Sequence, residues 1–274
     1  MSLASLAGAR IPHSAGGAVD PYWDDVVSLL PFNEAAQTDG ALNADSKLYD
    51  TDDLKGNAWT LISYNKIEVS ACFGSLGLGA WGVSQSISTR GVLYSNATPS
   101  FAATGDFTME FTVSPDNARG NWGASGDIIL ISGLANGHPN GPVDASEWMF
   151  TWSAGGGGAL GFTIKASDGL LRTALVTPIV FSLTPHEIVV QRISGVLSVL
   201  LDGVTVAVQS VLQAPDNTTL FDQVTFSSNG TGADTGTNNL GSGAYSRWRY
   251  TVGIGRYPSG SYTPDGLPFP TRGI

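Results

Sequence analysis

Short runs of alternating apolar and polar residues, each broken by glycine, proline or an Asp-Gly pair, recur along this 274-residue chain. A period of two, in place of the 3.6 of a helix, predicts strands. Phe107-Thr108-Met109-Glu110-Phe111-Thr112-Val113 alternates cleanly and stops at Pro115. Asp127 to Ser132 encloses a continuous apolar run, as expected of a strand covered on both faces. Glu147 to Trp152 is aromatic, and Leu160 to Ala166 alternates up to an Asp168-Gly169 turn. Val26 to Phe32 favours a strand, because β-branched valines and an early proline weigh against a helix. In Lys66 to Phe73, Ile67, Val69, Ala71 and Phe73 share one face, with Cys72 opposite.

The clearest local signal runs from His186 to Gln209. Ile188 to Arg192 and Val196 to Leu201 are predicted strands joined by a Ser194-Gly195 turn. Asp202-Gly203, a two-residue connection that tolerates positive φ, turns the chain into Val204 to Gln209. Near the end, Ser246 to Tyr257 reads as an aromatic and basic strand, followed by Pro264, Pro268 and Pro270. Proline fixes φ and removes a backbone donor, so the chain is expected to leave its sheet after Tyr257 and wrap outside, held by buried Phe269 and Tyr262. Residues 1–19 are small and polar and lack a periodic face, which predicts a flexible arm or docking tail. Residues 20–274 are expected to form one domain, with no internal repeat and no coiled-coil heptads.

Composition narrows the partners. Thirty-five glycines and fourteen prolines punctuate the chain too densely for long helices, and a charged fraction of 13% is about half the usual globular level. Thirteen basic against twenty-three acidic residues give −10, a balance that repels phosphate backbones and anionic membrane surfaces. Nucleic-acid binding and membrane insertion are therefore not expected. The single cysteine, Cys72, permits no intrachain disulfide and reads as a packed thiol. No apolar run approaches a membrane span, and Met1 to Ala9 lack the basic start and apolar stretch of a signal peptide.

No catalytic constellation emerges. The five glutamates are Glu34, Glu68, Glu110, Glu147 and Glu187, and none has an aspartate two residues later. A retaining glycosidase needs paired carboxylates on one strand face, and Glu110 has only Thr108 and Thr112 as neighbours there. An inverting pair drawn from the eighteen aspartates is left open. No nucleophile elbow is present, and His13, His138 and His186 show no zinc-ligand spacing. Asp39, Asn43, Asp45, Asp50, Asp52 and Asp53 form an oxygen-rich segment that reads either as a calcium site or as a solvated loop. For glycan stacking, Trp122, flanked by Arg119, Asn121 and glycines, is the leading candidate, and Trp81 between Ala80 and Gly82 has a similar setting. The competing reading for either tryptophan, and the commoner one for large aromatics, is cover for the rim of a sandwich.

Both ends of the chain carry a resemblance. Asp20-Pro21-Tyr22-Trp23-Asp24 with Val26 to Phe32 is similar to the opening strand, and Arg256-Tyr257, Tyr262-Thr263-Pro264 and Leu267-Pro268-Phe269-Pro270 to the closing segment, of laminin-G-like, concanavalin A-like jelly rolls in phage virion proteins. Gly105-Asp106-Phe107-Thr108-Met109-Glu110-Phe111 and the Asp202-Gly203 hairpin fit the same family, with Thr112 in place of its usual Trp. The resemblance implies an all-β, antiparallel two-sheet jelly-roll sandwich with an irregular N-terminal arm. It further implies a non-catalytic protein displayed on the virion surface as a capsid decoration, head fibre or short tail appendage. Its arm would dock on other virion proteins, its copies would assemble as a homo-oligomer (a trimer first), and its loops would meet a host-surface glycan. A polysaccharide depolymerase on the same fold is the competing reading.

Overall fold

The computed structural model describes residues 19–30, 53–57, 59–63, 67–70, 79–82, 91–95, 103–115, 127–134, 146–153, 159–165, 171–176, 185–210, 218–219, 223–226, 243–264 and 269–270. A 3-10 turn, Trp23–Asp25, leads into β1, Val26–Leu30. There follow β2 Trp59–Ser63, β3 Ile67–Ser70, β4 Gly79–Gly82, β5 Gly91–Ser95, β6 Ala103–Thr104 and β7 Phe107–Pro115. Next come β8 Asp127–Leu134, β9 Ser146–Ser153, β10 Ala159–Lys165, β11 Leu171–Val176 and β12 His186–Ile193. The series closes with β13 Val196–Leu201, β14 Val204–Ser210, β15 Thr218–Thr219, β16 Gln223–Phe226 and β17 Gly243–Val252.

These strands form the two-sheet antiparallel sandwich that the alternation predicts. One sheet runs β14-β13-β12-β7-β17-β4-β3, with β1 also paired to β17, and the other runs β11-β10-β9-β8-β16-β5-β2. The short β6 and β15 pair with each other. Asp53 ties the sheets together. Its carboxylate accepts from Ser28 Oγ (2.6 Å) and the Leu29 amide on β1, and from Trp59 Nε1 (3.0 Å) on β2.

The two predicted turns of the central hairpins are present. Ser194 and Gly195 have φ of 49° and 81°, and Asp202 and Gly203 have 50° and 84°. Positive φ at both central residues matches the right-handed twist of the flanking strands, so each hairpin closes in two residues. Asp202 also caps the entry of β12, accepting from the Glu187 amide at 2.9 Å and meeting His186 Nδ1 at 2.8 Å.

β17 sits at the centre of its sheet and serves three partners. One edge pairs with β7 from end to end; the other pairs first with β4 (Gly243–Tyr245) and then with β1 (Trp248–Thr251). Arg247 is an extra residue in this ladder. Ser246 stands opposite Thr112 and Trp248 opposite Phe111, and Arg247 between them takes a left-handed φ of 53°. Such a bulge redirects a side chain without ending the strand.

One face of β7, β12 and β17 is apolar. Phe107, Met109, Phe111 and Val113 pack beside Ile188, Val190, Trp248 and Tyr250, all fully buried. The ring of Phe107 meets Tyr250 edge-on, and Trp248 lies between Phe111 and Tyr250 with centroids 6.2–6.4 Å apart. The opposite face is polar yet equally dry: Thr108, Glu110, Thr112 and Gln191 are each exposed by 1% or less. The chain's closing segment accounts for this. β17 ends at Val252, five residues before the expected exit at Tyr257, because Gly253 turns with φ of 86° and donates its amide to Asp106 O. Residues 253–264 then cross the polar face, with Phe269 buried against Val26 and Leu29 of β1.

Candidate functional site

The polar face gathers most of the buried charged side chains among the described residues. Glu110 on β7 and Arg249 on β17 are register partners, and alternation sends both side chains to the polar side. Arg249 donates from Nε and Nη2 to the two oxygens of Glu110, each at 2.6 Å, a two-point pairing in which geometry adds to charge. Tyr257 OH donates to the same carboxylate. Asp20, just before the first turn, accepts from Arg249 Nη1 at 3.1 Å and from Arg256 Nη1 and Nη2 at 3.0 and 2.9 Å. Arg256 Nε donates to Thr251 Oγ1 at 2.7 Å, which completes its donor set on the sheet side.

A second pair lies alongside. The bulge at Arg247 sends its guanidinium to Glu187 Oε2 at 2.6 Å and to Thr112 Oγ1. Phe269 lies across both arginines, its ring 4.0 Å from the guanidinium carbon of Arg249 and 4.9 Å from that of Arg247. Tyr22 lies under Arg256 in the same way, at 5.2 Å. Aromatic faces suit guanidinium planes, so the rings seal the charges without leaving them unsolvated by any partner. Gln191 closes the far side, donating to Tyr257 O and accepting from the Tyr257 amide.

Burial and charge set the protonation states. Burial disfavours the charged form of Arg249, but the Glu110 carboxylate, its hydrogen bonds and Asp20 together raise the Arg249 pKa above its ordinary value. Burial, reinforced by the Glu110 carboxylate, pushes the Tyr257 hydroxyl well above the usual tyrosine range. Tyr262, which stacks on Tyr257 at 4.3 Å, is raised by burial and by Glu187. Both phenols therefore stay protonated donors at neutral pH. Three carboxylates (Asp20, Glu110, Glu187) face three guanidinia (Arg247, Arg249, Arg256), so the layer is electrically balanced and closed to solvent. Glu110 at 0% exposure cannot reach a sugar, which removes it as a general acid or nucleophile.

The residues singled out for binding lie elsewhere. Arg119, Asn121 and Trp122 fall outside the described residues. Trp81 lies within β4, where it registers with Glu68 of β3 and Ala244 of β17, rather than in a loop. Of the calcium candidates, Asp39, Asn43, Asp45, Asp50 and Asp52 fall outside the described residues. Asp53 is inside and committed, accepting from Lys55 N (2.8 Å) and Asn57 Nδ2 (2.9 Å) as well as from Ser28, Leu29 and Trp59. Among the described residues no group of three His, Cys, Asp or Glu side chains is placed to hold a metal. Cys72, His13 and His138 are also outside the described set. His186 is a hydrogen-bonded strand-entry residue, as its position implies.

Sequence reasoning treated Asp20, Arg247, Arg249 and Arg256 as parts of motifs and missed their convergence. One signal was available: isolated charges inside otherwise apolar strands, in a chain so poor in charge, are costly unless they find each other.

No protein-family model and no curated protein sequence matches the chain. Solved structures with the same arrangement of sheets do. The receptor binding domain of botulinum neurotoxin mosaic serotype C/D superposes with a TM-score of 0.56 at 9% identity, over 87% of this chain and 50% of that one. A structure of botulinum neurotoxin type C, whose cell entry depends on interaction with two ganglioside molecules, gives 0.53 at 10% identity, over 89% and 50%. Trypanosoma rangeli sialidase gives 0.51 at 14% identity, over 92% and 34%. The chain thus spans about half the length of the neurotoxin structures it matches. At these identities the likeness is one of fold: this chain has the jelly-roll sandwich shared by those all-β domains.

Proposed function

We propose that the chain is a non-catalytic, surface-displayed phage virion protein, a capsid decoration, head fibre or short tail appendage, that adheres to host-surface glycans. The observation that carries this reading is the sealed polar face. Glu110 and Glu187, strand carboxylates of the kind a glycosidase would present to its substrate, are instead buried in ion pairs beneath the closing segment. Glycan contact is assigned to Arg119, Asn121 and Trp122, residue types that offer a stacking ring and hydrogen-bond donors. The fold shared with receptor-binding domains supports a recognition role, and the family resemblance of both chain ends supports the virion setting. Residues 1–19 serve as the docking arm and residues 20–274 as the displayed domain. Several copies, three in the simplest case, hold weak individual sites together and gain avidity.

Glycan arrays probed with the wild-type chain and with Trp122→Ala test the reading. Binding that Trp122→Ala lowers at least tenfold is expected. Release of reducing ends from host polysaccharide by the wild-type chain would replace adhesion with depolymerisation, and absence of the protein from purified particles would remove the virion role.

A further inference from the structure

The closing segment is fastened by a residue at the opposite end of the described chain. Arg256, which is 2% exposed, places both terminal nitrogens on Asp20, 236 positions away in sequence. Its next carboxylate, Glu110, is 3.6 Å from Nε and already spanned by Arg249. An arginine does not shed its charge. If the segment carrying Asp20 leaves the sheet, Arg256 keeps only the 3.6 Å approach to a carboxylate that Arg249 already spans, and both its terminal nitrogens lose their acceptor, which favours movement of the guanidinium to water. Arg249 faces no such demand, because it keeps Glu110.

Two further links tie the same segments. Phe269 packs on Val26 and Leu29, and Trp23 packs on that cluster. Tyr22 lies under Arg256. β1 itself pairs with a single strand of its sheet, β17, and stands off the main strand order. We propose that Asp20 to Leu30, Gly253 to Pro264 and Phe269 form one latch, a cooperative unit that opens and closes together over the polar face while the β12-β13-β14 hairpins stay folded. The latch is independent of what the chain binds.

The competing arrangement is also built into the fold. Tyr262 N donates to Gly203 O, Ser261 bridges Val204, and Tyr257 pairs with Gln191, so the closing segment could instead belong to the hairpin unit. Native-state hydrogen exchange of the full wild-type chain, read by mass spectrometry across a low guanidinium series, separates the two. Peptides covering 20–30 and 253–264 are expected to exchange with one shared opening, below that of peptides covering 186–201. Asp20→Asn is expected to speed exchange in 253–264 by at least about 100-fold while leaving 186–201 within about twofold. If 253–264 follows 186–201 in the wild-type chain, or keeps its protection in Asp20→Asn, the latch is overturned. Should Asp20→Asn not fold, the wild-type series decides alone.

Discussion

Arg249 and Glu110 stand opposite one another on β17 and β7 and share two hydrogen bonds of 2.6 Å, with both side chains fully removed from solvent. This pair is the centre of a dry charged layer between a sheet and the segment that crosses it. Such a pair stabilises little relative to a well-packed apolar substitute, but breaking it from one side is costly.

Glu110→Ala should therefore lower unfolding stability by about 3–5 kcal/mol, since it leaves Arg249 short of a carboxylate and Tyr257 short of an acceptor. Glu110→Met combined with Arg249→Met should cost clearly less than the sum of the two single changes. Urea unfolding of the four proteins in a double-mutant cycle measures the difference, and additivity within about 0.5 kcal/mol would contradict the pairing.

Gly203 and Gly105 test how the closing segment is seated. Both have positive φ, 84° and 98°, so alanine strains the backbone at either. A Cβ at Gly105 meets nothing within 4 Å, whereas one at Gly203 would fall 2.2 Å from Tyr262 O and 2.7 Å from Pro264 Cδ. Gly203→Ala should lower Tm several degrees more than Gly105→Ala, and protease should cut its closing segment sooner. Equal Tm values would mean that the segment is not held against the hairpin.

Alkaline pH should loosen the layer. The folded-state pKa values of Tyr257 and Tyr262 lie above the unfolded value of 10.0, so the folded chain retains protons that the unfolded chain releases. Their contribution is fully present below pH 10 and is lost as pH rises above it. The Tm of the wild-type chain should fall between pH 10 and 11, and Tyr257→Phe should fall less over that interval. A parallel decline of the two proteins would show that Tyr257 takes no part.

Much of the architecture was legible in the sequence because it rests on local rules. β7, β12, β13 and β14 appear close to where alternation and the Ser194-Gly195 and Asp202-Gly203 turns place them, and Phe269 and Tyr262 hold the closing segment as the prolines imply. The end of β17 was misplaced because Arg256 and Tyr257 continue an aromatic-basic pattern that reads as strand, while the chain turns at Gly253, whose φ the sequence does not declare. Trp81 was read as a glycan-stacking candidate from its small neighbours. In the sheet, those small residues form a short strand between β3 and β17.

By itself, the sequence determined that the chain is a sandwich: period-two alternation and turn chemistry act between neighbours, within the reach of a few residues. Tertiary structure alone decided that the polar side of β7 is dry and that its charges cancel. Asp20 and Arg256 carry no mutual signature across 236 positions. Only the folding of one chain end over the other brings them within hydrogen-bonding distance, and only their burial gives that contact its strength.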